Sequence, residues 1–80
     1  MLYDIAIVGG GPAGCSAAVT AANRSLGTLL LDTGDFGLAL RKSPLVKNYL
    51  GLPDRSGAEL MDAFTAHMKP PGLRWSPIKY

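Results

Sequence analysis

The sequence predicts an α/β fold built on a parallel sheet, and features of its first 34 residues carry that prediction. A short apolar run, Ile5–Val8, ends in the pattern Gly9-x-Gly11-x-x-Gly14. An alanine-rich, helix-compatible stretch follows, and a second apolar run at 28–31 ends on the carboxylate of Asp32. A strand, a glycine turn, a helix and a second strand in that order form a βαβ unit, whose two strands are parallel.

The first strand and helix are expected to pack closely. Ile5–Val8 is apolar at consecutive positions, which is typical of a strand covered on both faces. The helix is predicted to begin near Pro12 and to run to about Arg24, with Gly27 as its stop signal. Small inward side chains would let its axis lie close to the sheet, namely Ala13, Cys15, Ala17, Ala18, Ala21 and Ala22.

The rest of the chain divides into a loop, a helix and a tail. No periodicity holds across 33–55, which is expected to be an irregular loop packed on the domain. Ser56 and Glu59 form a capping box, which predicts the start of a helix. Leu-Arg-Trp at 73–75 is a possible third strand, ended by Ser-Pro at 76–77. We therefore predict one incomplete domain over 1–80: a βαβ unit at 1–34, a cofactor-side loop at 35–55, a helix at 56–69 and a divergent tail at 70–80.

Composition narrows the functional class. The 80 residues are 48% hydrophobic and 18% charged with a net charge of +2, which argues against disorder. The basic residues are scattered without interleaved aromatic residues, so we expect no nucleic-acid partner. No apolar run is long enough for a membrane span or a signal peptide, so a cytoplasmic protein without a membrane partner is expected.

The glycine turn has the features that a dinucleotide pyrophosphate requires. Gly9 permits a tight turn out of the strand, and Gly11 lets the backbone approach phosphate oxygens. Pro12 suits the first helical position, and the N–H groups near Ala13 and Gly14 would point at the anion with the helix dipole. A Gly-Lys-Ser/Thr sequence does not follow, so the turn is not a P-loop.

Asp32 is predicted to bind the adenosine ribose. A carboxylate at the end of the second strand can accept both ribose hydroxyls, and its charge would repel a 2′-phosphate. Thr33 beside it completes the predicted cofactor-binding set. The alternative, a glycine-rich turn that binds no ligand, is less favoured, because the strand, the helix and the acid all occupy the positions that a dinucleotide site requires.

Other polar residues are interpreted as structural. Cys15 has no second thiol nearby and is expected to pack as a small buried side chain. His67 is expected on the inward face of the second helix, beside an apolar stripe of core residues. No catalytic or metal-binding residue is predicted. The stripe consists of Leu60, Met61, Phe64 and Met68.

With these residues in place, the chain resembles the FAD-binding N-terminal segment of thioredoxin-reductase-like flavoproteins, the pyridine nucleotide–disulfide oxidoreductases. The first match is Tyr-Asp-Ile-Ala-Ile-Val-Gly-Gly-Gly-Pro-Ala-Gly at 3–14. The second is Val-Lys-Asn-Tyr-Leu-Gly-Leu-Pro at 46–53, followed by Ser-Gly-Ala-Glu-Leu-Met at 56–61. The resemblance implies FAD as cofactor, with Asn48 approaching the isoalloxazine. It also implies NAD(P)H as electron donor, a redox partner protein and a homodimer for the full-length family.

The chain departs from that family in the loop after the ribose acid. The family commonly has Gly-Gly-Gln there, whereas this chain has Gly-Leu-Ala at 37–39. Leu-Arg-Lys-Ser-Pro at 40–44 is similar instead to divergent members with Leu-x-Lys-Ala-Pro. The redox Cys-x-x-Cys, the second glycine motif and the C-terminal Gly-Asp motif of the family would lie beyond residue 80.

Two classes of function follow. The first is the N-terminal FAD-binding part of a thioredoxin-reductase-like, NAD(P)H-dependent flavin oxidoreductase, which this chain alone would not complete as a catalyst. The alternative is a non-catalytic nucleotide- or partner-binding module, or an inactive truncated fragment.

Overall fold

The computed structural model of the chain describes residues 2–78, which form a three-stranded parallel sheet and three helices, so the predicted α/β class is confirmed. The sheet order is β1-β2-β3, with β2 in the centre. Along the chain the elements are β1 (Ile5–Val8), α1 (Pro12–Asn23), β2 (Thr28–Asp32), α2 (Leu38–Arg41), α3 (Gly57–His67) and β3 (Leu73–Pro77).

The strand register places the glycine turn beside Asp32. Ile5 lies opposite Thr28, and Val8 lies opposite Leu31. The pairing continues one residue further, because the N–H of Gly9 donates to the carbonyl of Leu31 at 2.7 Å. The carboxyl ends of parallel strands share one edge of the sheet, so the turn after β1 and the acid at the end of β2 are neighbours.

The third strand is confirmed and is longer than expected. β3 pairs with β2 in parallel from Leu73 to Pro77, whereas the sequence predicted an end at Ser76. Pro77 is accepted because β3 is an edge strand of the described sheet. The N–H of Ile78 then donates to the carbonyl of Asp32 at 2.9 Å.

One face of the sheet is covered, and this corrects the prediction for β1. Along β2, alternate side chains are buried and half-exposed, as a sheet with one covered face requires. In β1, Ile5 is 38% exposed and Val8 is 65% exposed. A consecutive apolar run therefore does not mean burial on both faces here, because no element within residues 2–78 covers the second face of this strand.

Helix α1 packs its small residues on the sheet, but the predicted inward set was partly wrong. Ala13 and Ala17 are exposed, because a period of 3.6 residues puts them on the side opposite Cys15 and Ala18. The described hydrophobic core consists of Cys15, Ala18, Ala21, Ala22, Leu30, Leu60 and Met61.

Helix α1 ends near Arg24, as the sequence predicted, but Gly27 is not its stop signal. Arg24 is the C-cap, and Ser25 adopts a left-handed conformation with φ of 64°. Gly27 instead begins β-pairing: its N–H donates to Oδ2 of Asp4 at 2.7 Å, and its carbonyl accepts from the N–H of Asp4 at 2.8 Å. The left-handed residue that follows the helix is Ser25, and a left-handed serine has no sequence signature.

The segment predicted as an irregular loop contains a short helix. Helix α2 begins after Gly37, which has φ of 75° and lies against the thioether of Met61. An isolated antiparallel bridge joins Val46 to Arg55. The loop prediction for 33–55 was therefore wrong over Leu38–Arg41, since one helical turn is too short for its periodicity to be recognised.

The capping box of α3 is confirmed. The Ser56 hydroxyl accepts from the N–H of Glu59 at 3.1 Å, and the Glu59 carboxylate accepts from the N–H of Ser56 at 2.9 Å. Leu60 and Met61 are buried, whereas Phe64 and Met68 are half-buried. His67 is exposed at the end of the helix, which corrects its predicted inward position.

Candidate functional site

The glycine turn is shaped by two glycines that the fold itself requires. Gly9 has φ of 105°, a left-handed conformation that side chains disfavour. The backbone of Gly14 lies against the carbonyl group of Gly9, so closely that a β-carbon at Gly14 would overlap it. Together they bring the first turn of α1 directly beneath the end of β1.

Gly11 differs from Gly9 and Gly14 because the fold does not require a glycine there: its backbone is not left-handed, and no protein atom lies where its side chain would be. It is the N-cap of α1 with φ of −76°, and a β-carbon there meets nothing within 4 Å. The first helical hydrogen bond runs from Cys15 N–H to the Gly11 carbonyl at 2.9 Å. The N–H groups of Ala13 and Gly14 precede it and have no intrahelical acceptor. Open space therefore adjoins free donors at the positive end of the helix dipole.

Asp32 joins this turn to the loop that follows β2. Its Oδ1 accepts from the N–H of Gly10 at 2.8 Å. Its Oδ2 accepts from the N–H groups of Gly34 at 2.8 Å and Phe36 at 3.0 Å. The residue is 8% exposed. A carboxylate has about four acceptor positions, so these three bonds occupy most of them.

The same contacts keep Asp32 charged. Burial by itself would raise the pKa of this carboxyl group. Hydrogen bonds from the backbone N–H groups of Phe36, Gly10 and Gly34 outweigh burial and hold the pKa below its ordinary value. The N–H of Asp35 acts in the same direction. The site therefore presents a stable negative charge at the edge of the sheet.

The loop after Asp32 carries contacts that the sequence did not reveal. The hydroxyl of Thr33 donates to Oδ2 of Asp35 at 3.0 Å, and both residues are exposed. Phe36 has φ of 43° and packs edge-on against Trp75, with ring centroids 5.0 Å apart. Its ring also lies against Gly10, where a β-carbon would be 2.6 Å from Cδ1. No local sequence pattern predicts a left-handed phenylalanine, so the sequence did not identify Phe36 as part of the site.

Cys15 is a packing residue, as predicted. Its thiol is buried and donates to the carbonyl of Gly10 at 3.4 Å. Burial raises the pKa of the Cys15 thiol, and the negative charge of Asp32 raises it further. The thiol therefore stays protonated at neutral pH, which makes it a poor nucleophile.

A cleft of about 330 Å³ runs along α1 from Pro12 and is bounded by α3 and by Tyr49. The Tyr49 ring packs on Phe64 with centroids 5.1 Å apart. Asn48 precedes Tyr49 and is exposed. The structure thus brings the glycine turn and Asp32 together and places the Asn48 segment on the side of the molecule where α1 begins.

Membrane spans and metal sites are two further features that bear on function. No helix within residues 2–78 is long and apolar enough to cross a membrane. Over the same range, no three His, Cys, Asp or Glu side chains group in a way that could hold a metal ion.

Comparison with known proteins identifies relatives of this architecture. A family model described as "FAD binding domain" matches residues 4–69. A thioredoxin reductase from Bacillus subtilis is 35% identical over 75 residues, which cover 94% of this chain and 24% of that protein. The chain thus spans about a quarter of the length of this relative.

Solved structures give the same result. The thioredoxin reductase of Lactococcus lactis matches with a TM-score of 0.88 and 32% identity, over 95% of this chain and 25% of that chain. A ferredoxin-flavin thioredoxin reductase from Clostridium acetobutylicum matches with a TM-score of 0.87 and 42% identity, over 96% of this chain and 27% of that chain. The Rossmann-like fold and the resemblance to thioredoxin reductases are confirmed, and FAD is the cofactor named by the family model.

Proposed function

Because the chain belongs to the FAD binding domain family, we propose that it holds the ADP moiety of FAD through its glycine turn and Asp32. The cofactor-binding residues are those predicted from the sequence. They are Gly9, Gly11, Pro12, Ala13, Gly14, Asp32 and Thr33, with Asn48 on the flavin side.

The observation that carries this proposal is the open space at Gly11. If the turn served the fold alone, each glycine would be explained within the chain, by a left-handed backbone as at Gly9 or by a close backbone neighbour as at Gly14. At Gly11 the space is empty of protein and adjoins the N–H groups of Ala13 and Gly14. A pyrophosphate fits that requirement, because its oxygens need close backbone donors and no side-chain bulk.

Charge at the ribose end favours FAD over a 2′-phosphorylated nucleotide. Hydrogen bonds hold the pKa of Asp32 below its ordinary value, so this carboxylate is ionised at neutral pH. The exposed carboxylate of Asp35 lies three residues further along the same loop. Two negative charges beside the ribose would repel a 2′-phosphate, and FAD carries none.

Residues of this chain bind and orient the cofactor, and none is proposed as catalytic. FAD supplies the chemistry when bound, because its flavin accepts a hydride and passes electrons onward. Tyr49 and Pro12 line one cleft, which supports Asn48 as a residue near the flavin half. We propose NAD(P)H as the donor and a disulfide-containing redox protein as partner of a homodimeric full-length enzyme, since the Bacillus subtilis relative is a thioredoxin reductase.

A non-catalytic, partner-dependent nucleotide-binding module is the second candidate. The uncovered face of β1, where Val8 is 65% exposed, favours it. Exposed apolar side chains on a strand call for a covering surface. Under this alternative, the chain would bind the nucleotide tightly only when a second protein covers that face.

The test is a titration of the 80-residue chain with ADP and with FAD, followed by amide NMR signals and flavin fluorescence. Gly11→Ala should keep the fold and weaken both ligands at least about tenfold, the effect of losing one well-placed charged contact. Gly27→Ala is the matched control, because its β-carbon would make only ordinary contact, 3.4 Å from Asp4. Equal affinity in Gly11→Ala and the unmodified chain would refute the phosphate site.

A further inference from the structure

Arg41 occupies an unusual position between the ribose loop and α3. Its Nε donates to the carbonyl of Phe36 at 2.9 Å. Its Nη1 lies 2.9 Å from Oδ1 of Asp62 in α3. The guanidinium therefore ties a residue of the loop after β2 to the helix behind it.

The short helix α2 explains how Arg41 reaches the loop. The N–H of Arg41 donates to the carbonyl of Gly37 at 2.9 Å, which closes a single helical turn. Side chains in an α-helix lean toward the helix N-terminus, so the arginine points back over Phe36. The planar guanidinium can then serve two acceptors from one side chain, which a lysine ammonium does less well.

Phe36 is the residue that most needs such support. Its left-handed backbone, with φ of 43°, is costly for an aromatic residue. Its N–H nevertheless has to face Asp32, to which it donates at 3.0 Å. The carbonyl of Phe36 is held on the other side by Arg41, so both polar groups of this strained residue have partners.

Phe36 packs against Trp75 and Gly10 on one side of its ring only. A cleft of about 320 Å³, open to solvent, lies beside it and is bounded by Arg41 and by Trp75. A side chain beside such a cleft has no protein atoms on that side, so packing restrains it less. The position of the loop therefore depends on its polar contacts.

We propose that Arg41 is a positioning residue, which holds the 34–36 loop against Asp32 and so shapes the adenosine half of the site. The expected effect of Arg41 on ADP affinity rests on the proposed function, whereas its effect on the 34–36 loop does not. A continuous set of contacts carries it: Asp62 to Arg41, Arg41 to Phe36, Phe36 to Asp32, and Asp32 to Gly10 in the glycine turn.

Arg41→Met tests the proposal in the 80-residue chain, because methionine keeps an unbranched apolar side chain and removes both polar contacts. The pKa of Asp32, followed by ¹³C NMR of its carboxyl carbon, should rise toward its ordinary value as the Phe36 N–H moves away. The amide signals of Gly34 and Phe36 should shift. ADP affinity should fall about tenfold, the loss expected for one charge-assisted hydrogen bond.

Two companion variants make the result decisive. Asp62→Asn alters only the exposed end of the pair and should shift the Asp32 titration in the same direction by a smaller amount. If Arg41→Met does not fold, Asp62→Asn serves as the test variant in its place. Arg24→Met removes an exposed arginine at the C-terminal end of α1 and should change neither the titration nor the affinity.

The outcomes separate this proposal from the proposed function. An Asp32 titration unchanged in both Arg41→Met and Asp62→Asn overturns the role of Arg41. If the unmodified chain binds no ADP, the proposed function is wrong, while the titration and the Gly34 and Phe36 signals still decide whether Arg41 holds the loop.

Discussion

The backbone of Gly14 in α1 lies directly against the carbonyl group of Gly9 at the end of β1. Neither residue contributes a side chain, and this close approach places the first turn of the helix under the end of the strand. The donors proposed for the pyrophosphate, the N–H groups of Ala13 and Gly14, are held at that point. The fold and the proposed ligand site thus share one glycine pattern, in which Gly9 and Gly14 shape the turn and Gly11 leaves space beside the donors.

Gly14→Ala is expected to unfold most of the chain. The β-carbon would overlap the backbone carbonyl of Gly9, which no side-chain rotation can relieve. Overpacking of a core typically costs about 1–3 kcal/mol, and a backbone clash belongs at the upper end or beyond. Urea unfolding followed by circular dichroism would measure the loss. Gly27→Ala, with room for its β-carbon, should stay near the stability of the unmodified chain, and a cooperative, fully stable Gly14→Ala would contradict this account.

The stability of the chain should fall at acid pH partly through Asp32. Its folded pKa lies below the unfolded value, so the ionised form stabilises the fold. That stabilisation is fully present above the unfolded pKa of about 3.9 and disappears as the pH falls through the folded pKa. Urea unfolding at pH 7 and at successively lower pH values would measure this loss.

Asp32→Asn should remove about 2 kcal/mol at pH 7, because backbone N–H groups would face an amide in place of a carboxylate. The same change should flatten the acid limb of the stability profile, since the titrating group is gone. Asp54→Asn is the matched control at an exposed position with a left-handed backbone that asparagine accepts. Identical acid limbs in Asp32→Asn and the unmodified chain would rule out this role.

Cys15 should resist thiol reagents in the folded chain. It is buried, and burial together with the charge of Asp32 raises its pKa, so little thiolate is present at neutral pH. We expect slow reaction with Ellman's reagent in native buffer and rapid reaction in unfolding urea, where the thiol is exposed. The rate in native buffer should increase in Asp32→Asn. The reagent reaches the buried thiol only when the fold opens, and a less stable fold opens more often. Rapid reaction of the native chain would show that the thiol is accessible.

Gly57→Ala should destabilise the chain although alanine is the better helix former. In an exposed helix this change stabilises by up to about 1 kcal/mol. At Gly57 the β-carbon would overlap the carbonyl of Leu40 and would lie 3.2 Å from Cβ of Ser43. A net loss of about 2 kcal/mol is expected, measured by thermal or urea unfolding. Ser16→Ala, on the exposed face of α1, should instead be neutral or slightly stabilising.

Much of the geometry of the candidate site could be predicted because its signals are local. The glycine spacing at 9–14, the acid at Asp32 and the capping box at Ser56 are short patterns, each of which implies one backbone geometry. Prediction failed where the outcome depended on distant neighbours. Val8 looks buried from its sequence but is exposed, and Ser25 ends α1 where glycine was expected.

The order of strand, turn, helix and strand, and the adjacency of the glycine turn to Asp32, were determined by the sequence alone. Both follow from periodicity and from the geometry of parallel strands, which need no knowledge of the rest of the chain. Tertiary structure decided which N–H groups Asp32 accepts, the left-handed backbone of Phe36 and the bridge that Arg41 makes to Asp62. Arg41 and Asp62 lie far apart in the chain. The left-handed conformation of Phe36 is strained and depends on several partners at once, so no local pattern encodes these contacts.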